Sequence, residues 1–300
     1  MKLLVFDAGH CLSLALDREV ERRLDLEISL VDESREALEA LDSGEFDALV
    51  LPPLAHLDAI SPEQVEAHAS RVEAMIAGCL GSGTILVWCI SDQIYEHGYD
   101  EGAIEEGLIP RPESAPRKRL VAVGDRIRAE LPRHLVVRVG PLFGSEGEEA
   151  WLPDLLEKLQ AGQRVHAEQD LFVGPTPVEG LARALCGMLL QLDNGAEAWG
   201  AYHLAGIEPV SLYTFVAAVR TQLEQQLSAR GLPVDGLGEV EGVFREGGMV
   251  RRVLNCRRML GTFGVHQKPW RLELERLIEQ WLDERFGEPE APASTRGQQG

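Results

Sequence analysis

Apolar and polar positions follow two different periods along this chain. KLLVF (2–6), FDALVL (46–51), TILVWCIS (84–91) and HLVVRV (134–139) are short, nearly continuous apolar runs. Runs of this length between polar or glycine-containing segments read as buried strands. LEISLV (26–31) adds a further strand between the first two. The intervening segments repeat their apolar positions at helical spacing: Leu12 to Leu24, ESREALEAL (33–41), SPEQVEAHASRVEAMIAGCL (61–80) and RKRLVAVGDRIRAEL (117–131). Ser61 supplies a cap for the third of these, with Pro62 at its first position and Glu63 and Glu66 near its positive end. Strand and helix alternating in this way predict an α/β fold, a doubly wound and largely parallel sheet.

The same alternation continues after His134. WLPDLLEKLQAG reads as a helix closed by Gly162, and FVGPTPVEGLARALCGMLLQL as a turn feeding a second helix. AYHLAGIEP and VSLYTFVAAV read as a strand, a turn and a third helix. Val178, Leu181, Ala182, Leu185, Leu189 and Leu192 form one stripe, a core face. Trp270, Leu274, Leu277 and Trp281 form another on the last helix. The tail GEPEAPASTRGQQG (287–300) is polar and rich in Pro and Gly, which predicts disorder.

Composition narrows the function. A net charge of −20 opposes nucleic acid and anionic membranes as partners. No apolar run approaches ~20 residues, the length that crosses a bilayer. The apolar start carries Asp7 within it and reads as a strand, not a signal peptide. The cysteines at 11, 79, 89, 186 and 256 show no CxxC spacing, which predicts reduced, mostly buried thiols and a cytoplasmic location. The histidines show no ligand spacing, so no metal is assigned.

Three blocks, VRVGPLFGSEG, FVGPTPVEGLARAL and YHLAGIEPVSLYTFVAAV, together resemble the C-terminal half of the dTDP-4-dehydrorhamnose reductase family of extended short-chain dehydrogenases. TILVWCISDQIYEHG resembles the family's strand ending Ser-Thr-Asp-Tyr-Val-Phe. The resemblance implies a Rossmann-like domain over 1–145, with 163–206 contributing to it. It implies a smaller substrate-type subdomain from 146–162 and 207–286. It also implies NADP or NAD as cofactor and a nucleotide sugar as substrate.

The residues that would carry that chemistry are altered. The family's glycine turn, Gly-x-x-Gly-x-x-Gly, falls on Asp7, His10 and Ser13, so Asp7, Ala8, His10 and Ser13 are the cofactor-turn positions. Glycine there permits the tight turn and the close approach of the pyrophosphate. A carboxylate at Asp7 opposes it, and Asp and Ser also serve as helix caps. Asp32 and Arg35 stand near the ribose-binding strand end, and Pro52-Pro53 replace small residues lining the cofactor. Ser91 stands at the catalytic Ser/Thr position, Asp92 follows it as a substrate-side position, and Gln93 replaces a tyrosine. The base, Tyr-x-x-x-Lys on a helix, falls on Ala122 and Arg126 when aligned from Glu130. No tyrosine of this chain has Lys or Arg four residues later. Arginine does not titrate as lysine does. Glu148-Glu149 replace an Asn-Asn pair, and Thr176 remains from a substrate-side turn.

These residues leave three readings. The chain is a non-catalytic, regulatory member of the family acting on a protein partner. It is a binder of a sugar nucleotide or dinucleotide without turnover. Or it is an NAD(P)-dependent reductase with an atypical site, using Ser91, Asp92, His10 or His97 as acid. On the first two, no cofactor is expected; NADP or NAD enters if binding is retained.

Overall fold

The computed structural model describes residues 1–54, 57, 59–99, 102–266 and 268–287. The predicted disorder of 287–300 falls, from 288 onward, outside the described residues. The strands in chain order are β1 (Lys2–Phe6), β2 (Glu27–Val31), β3 (Ala48–Leu51), β4 (Ile85–Ser91), β5 (His134–Val139), β6 (Leu142–Phe143), β7 (Val165–Glu168), β8 (Leu171–Val173), β9 (Thr176–Pro177), β10 (Gly200–Leu204), β11 (Val210–Ser211), β12 (Val240–Val243) and β13 (Val250–Arg252). The helices are α1 (Cys11–Val20), α2 (Ser34–Ser43), α3 (Pro62–Ser82), α4 (Ala115–Glu130), α5 (Trp151–Gln160), α6 (Val178–Asp193), α7 (Leu212–Ala229), α8 (Arg257–Phe263) and α9 (Trp270–Phe286).

Six strands form one parallel sheet in the order β10-β5-β4-β3-β1-β2. Its inner strands are the continuous apolar runs: β3, β4 and β5 are buried at every position. A sheet covered by helices on both faces requires this. The dinucleotide-binding order 3-2-1-4-5-6 places a further strand outside the second. Here the chain passes from α2 straight into β3, beside β1, so β2 is left at the edge. β2 accordingly keeps a partly exposed pattern.

The C-terminal elements build a second apolar cluster from α5, α7 and α9. Phe215 is its centre, with ring centroids 5.2 Å from Phe143, 5.3 Å from Trp151 and 4.9 Å from Trp270. The stripe of Trp270, Leu274, Leu277 and Trp281 lies in this core. Within 163–206, β10 and α6 join the large sheet layer, α6 lying against α1. β7 and β8 instead pair with β12 and β13, because their half-apolar sequence suits a small sheet open on one side. All five cysteines are free and buried. No helix among the described residues is long and apolar enough to cross a membrane.

Phe215→Ala removes the ring common to three aromatic contacts. Urea unfolding of this variant is expected to show a loss of about 3–5 kcal/mol.

Candidate functional site

The first turn of the sheet, where a dinucleotide's pyrophosphate would meet a helix N-terminus, is filled by the chain itself. Asp7 leaves β1 with φ 66°, in the left-handed region that glycine accepts freely. The one other described non-glycine residue with positive φ is Glu149, at 65°, on the segment that covers this turn. His10 caps α1, its Nδ1 accepting from the Leu12 N–H at 2.9 Å. The Cys11 N–H donates to the Glu148 carbonyl at 3.0 Å, and the Glu148 N–H to the Gly9 carbonyl at 2.8 Å. The Ala8 N–H donates to Asp32 Oδ1 at 2.8 Å. Ser13 is fully buried and donates to the Phe6 carbonyl.

Residues 145–150 therefore lie over α1 as a strap. Glu146 pairs with Arg18 of α1. Gly147, at φ 89°, sits so close that a Cβ there would stand 2.7 Å from the Cys11 Cα. The crevice left between the ends of β1 and β3 has a volume of about 20 Å³, lined among others by Asp7, His10, Pro53 and Glu149. Burial, then Glu148 and Asp32, push the Asp7 carboxyl above its usual range, against the pull of Arg71. Burial lowers His10 to about 4, so it is a neutral imidazole. A pyrophosphate finds little space here, with the N–H groups of Ala8, Cys11 and Leu12 already engaged, and it would face the carboxylates of Asp7, Asp32 and Glu148. The residues present do not fit a dinucleotide.

Asp32 and Arg35 are occupied in the same economical way, Asp32 by Ala8 and Arg35 by Glu39 at 2.7 Å. The Glu148-Glu149 segment, which stands where the resembled family has a substrate-contacting Asn-Asn pair, lies over the cofactor turn.

A much larger cleft, about 420 Å³, opens between the ends of β4 and β5 and the C-terminal elements. Its sheet-side wall carries Pro53, Leu54, Ser91, Gln93 and Leu142; Trp151, Leu155, Lys158 and Leu212 face them from α5 and α7. Arg245 and Arg252 complete it. Ser91 is 8% exposed and accepts from the Gln93 N–H at 3.2 Å. Asp92 is fully buried behind it, 3.9 Å from Arg252 Nε. Burial, opposed by Arg252, raises Asp92 to about 6. Asp170 holds the loop that bears Arg245, accepting from its N–H at 3.1 Å.

Other sequence-selected residues are not brought to this cleft. Thr176 is buried, donates to the Gly174 carbonyl, and lines a separate cavity of about 220 Å³. His97 is exposed beside Glu113. Arg126 lies on the outer seam of α3 and α4, paired with Glu73 and Glu130. Ala122 is exposed as well. The face of α4 that meets β4 instead carries Arg117, Leu120, Val121 and Gly124. Arg117 donates to the Gln93 carbonyl at 2.9 Å, and Gly124 lies against Trp88. The helix thus turns Arg117 and Val121 inward, one turn apart, where an alignment from Glu130 points to Ala122 and Arg126. Neither pair contains a tyrosine or a lysine.

Sequence reading missed Arg252, Arg245 and Lys158. Arg252 had one available signal: Val250 and Arg252 are two apart on a strand, so they share its buried face.

The raised Asp92 gives a pH test. Its folded form holds a proton more tightly than the unfolded chain, so its contribution favours folding at low pH. That contribution is lost as pH rises from about 4 through about 6. Between pH 4 and pH 7, denaturant unfolding of the wild type is expected to lose about 2 kcal/mol more than Asp92→Asn loses.

The model of the RmlD substrate binding domain family matches residues 55–282, a range that includes every cleft residue except Pro53 and Leu54. No curated protein matches the sequence. Among solved structures, dTDP-4-dehydrorhamnose reductase from Bacillus anthracis str. Ames, in complex with NADP, is similar with a TM-score of 0.75 and 16% identity. The alignment covers 93% of this chain and 99% of that one. The Clostridium acetobutylicum dTDP-4-dehydrorhamnose reductase gives 0.74 and 17%, with the same coverages. Thermus thermophilus UDP-glucose 4-epimerase, in complex with NAD, gives 0.72 and 16%, over 94% of this chain and 99% of that one. At these identities the structures establish a common fold. The family match spans most of the chain, which therefore belongs to the RmlD substrate binding domain family.

Proposed function

We propose that this chain is a non-catalytic member of its family that binds a sugar nucleotide in the 420 Å³ cleft and carries no dinucleotide. The observation that supports this most is the strap over α1. Admitting a pyrophosphate means breaking the two backbone hydrogen bonds between Glu148 and the α1 turn, and the Arg18–Glu146 pair. Each is worth about 1 kcal/mol or less, and breaking the first also strips the buried Cys11 N–H of its acceptor.

The proton-transfer side is equally depleted. A tyrosine base needs a neighbouring cation that lowers its pKa. The tyrosine nearest the end of β4, Tyr95, is pushed the other way by burial, to about 12, and donates to the Leu108 carbonyl. The cleft, by contrast, keeps what ligand binding needs: an apolar lining, Ser91 and Gln93, and the cations Lys158, Arg245 and Arg252. The similar reductases and the epimerase act on dTDP- and UDP-sugars by name, and that class of ligand carries over to this cleft. The buried free thiols support a reducing, cytoplasmic setting.

Calorimetric titration of the purified chain tests this. dTDP- or UDP-sugars are expected to bind, and NADPH and NADH to give no heat. Micromolar binding of either dinucleotide overturns the proposal. So does silence of every sugar nucleotide with a folded sample.

A further inference from the structure

Ten buried side-chain polar atoms among the described residues have no hydrogen-bond partner, and four of them gather at the inner end of the cleft. They are both carboxyl oxygens of Asp92, Oε1 of Gln93 and Nε of Arg252. Buried polar groups are ordinarily satisfied, so a concentration of unsatisfied ones at a cavity points to a ligand that satisfies them. Arg252 is the most informative. It is 3% exposed and lines the cleft, and its guanidinium makes no hydrogen bond to the described residues. Asp92 stands 3.9 Å away, beyond hydrogen-bond range. A guanidinium without acceptors in an apolar cleft is costly, and its planar fork matches a carboxylate.

The neighbouring groups restrict the ligand further. The Ser91 hydroxyl accepts from the Gln93 N–H, which leaves its own proton available to an acceptor. Gln93 Oε1 requires a donor. An anionic oxygen pair with a hydroxyl beside it meets all three residues. Lys158 and His166, which are exposed, lie at the outer rim and Arg245 is half-buried beside Glu168. The cations Lys158 and Arg245 suit the diphosphate of the nucleotide and leave Arg252 for the sugar.

We propose that the inner end of the cleft holds a carboxylate on Arg252, so that the bound sugar nucleotide carries an acidic, uronate-type sugar. This rests on the sugar-nucleotide reading given above and narrows it to a class of sugar. A neutral hexose would fill the same space but give the Arg252 guanidinium no charged hydrogen-bond acceptor, since Asp92 stands beyond hydrogen-bond range. Among the described residues Asp92 is the carboxyl that pairs with Arg252, Asp154 and Glu168 lining the cleft elsewhere, and it competes with the ligand's carboxylate for that cation. Protonating Asp92 removes the competition, so binding of the acidic sugar strengthens as pH falls from 7.5 to 5.5. Binding of the neutral sugar changes less.

The test is calorimetry on the full chain with the glucose and glucuronate conjugates of dTDP and of UDP, alongside free dTDP and UDP. The glucuronate conjugate is expected to bind at least ~10-fold more tightly than the glucose conjugate of the same nucleotide. Arg252→Met is expected to erase that preference, lowering affinity for the glucuronate conjugate by more than it lowers affinity for the free nucleoside diphosphate. Arg252→Lys, which keeps the charge but loses the planar fork, is expected to fall between them. Equal affinity for the two sugars in the wild-type chain overturns the acidic-sugar proposal and leaves the sugar-nucleotide reading standing. An equal loss of free nucleoside diphosphate binding in a folded Arg252→Met chain assigns Arg252 to phosphate and also overturns it. Failure of all the nucleotides to bind removes both readings. The wild-type comparison decides even if the Arg252→Met chain does not fold.

Discussion

The N-terminus of α1 has backbone donors that must be satisfied, and in this chain the protein satisfies them itself. His10 takes the Leu12 amide, Glu148 takes that of Cys11, and Asp32 takes that of the preceding Ala8. A helix start buried at the end of a parallel sheet cannot leave such groups empty. In a dinucleotide-binding protein a phosphate does this work. Here the strap of residues 145–150 does it, and the arrangement is held on both sides by residues with positive φ, Asp7 and Glu149. The carboxylates that would repel a phosphate become harmless once no phosphate is required.

That closure has consequences along the chain. The sheet has no strand beyond β2 among the described residues, and the strand-end residues Asp32 and Arg35 serve local contacts. The face of α4 that meets β4 carries Arg117 and Val121. The opposite half of the molecule is unaffected. The aromatic contacts around Phe215 fix α5, α7 and α9 against the sheet edge, and the cleft they leave is lined and polar enough to bind a ligand. The fold of the family is kept in both halves of the molecule.

Most of this architecture was legible in the sequence. Continuous apolar runs mark β3, β4 and β5 because both faces of those strands are covered, and helical stripes mark α6 and α9. The degenerate turn at Asp7, His10 and Ser13 was also visible, since a missing glycine is a local fact. The strap was not, because it depends on a pairing between Gly9 and Glu148 that no local pattern announces. An alignment of α4 from Glu130 selects Ala122 and Arg126, which lie on its exposed side. That helix is polar on most of its surface, so its apolar stripe gives a weak signal. Arg252 was hidden for the opposite reason. It is an arginine inside a short strand, and its importance comes from what it fails to contact.

The central claim is that the amides at the start of α1 are occupied by the chain. Residue-resolved amide hydrogen exchange tests it directly. The account predicts that the N–H groups of Cys11 and Leu12 exchange slowly in the free protein, at rates close to those of β1, and that NADPH leaves them unchanged. Rapid exchange at Cys11 and Leu12 that becomes slow on addition of NADPH would contradict it.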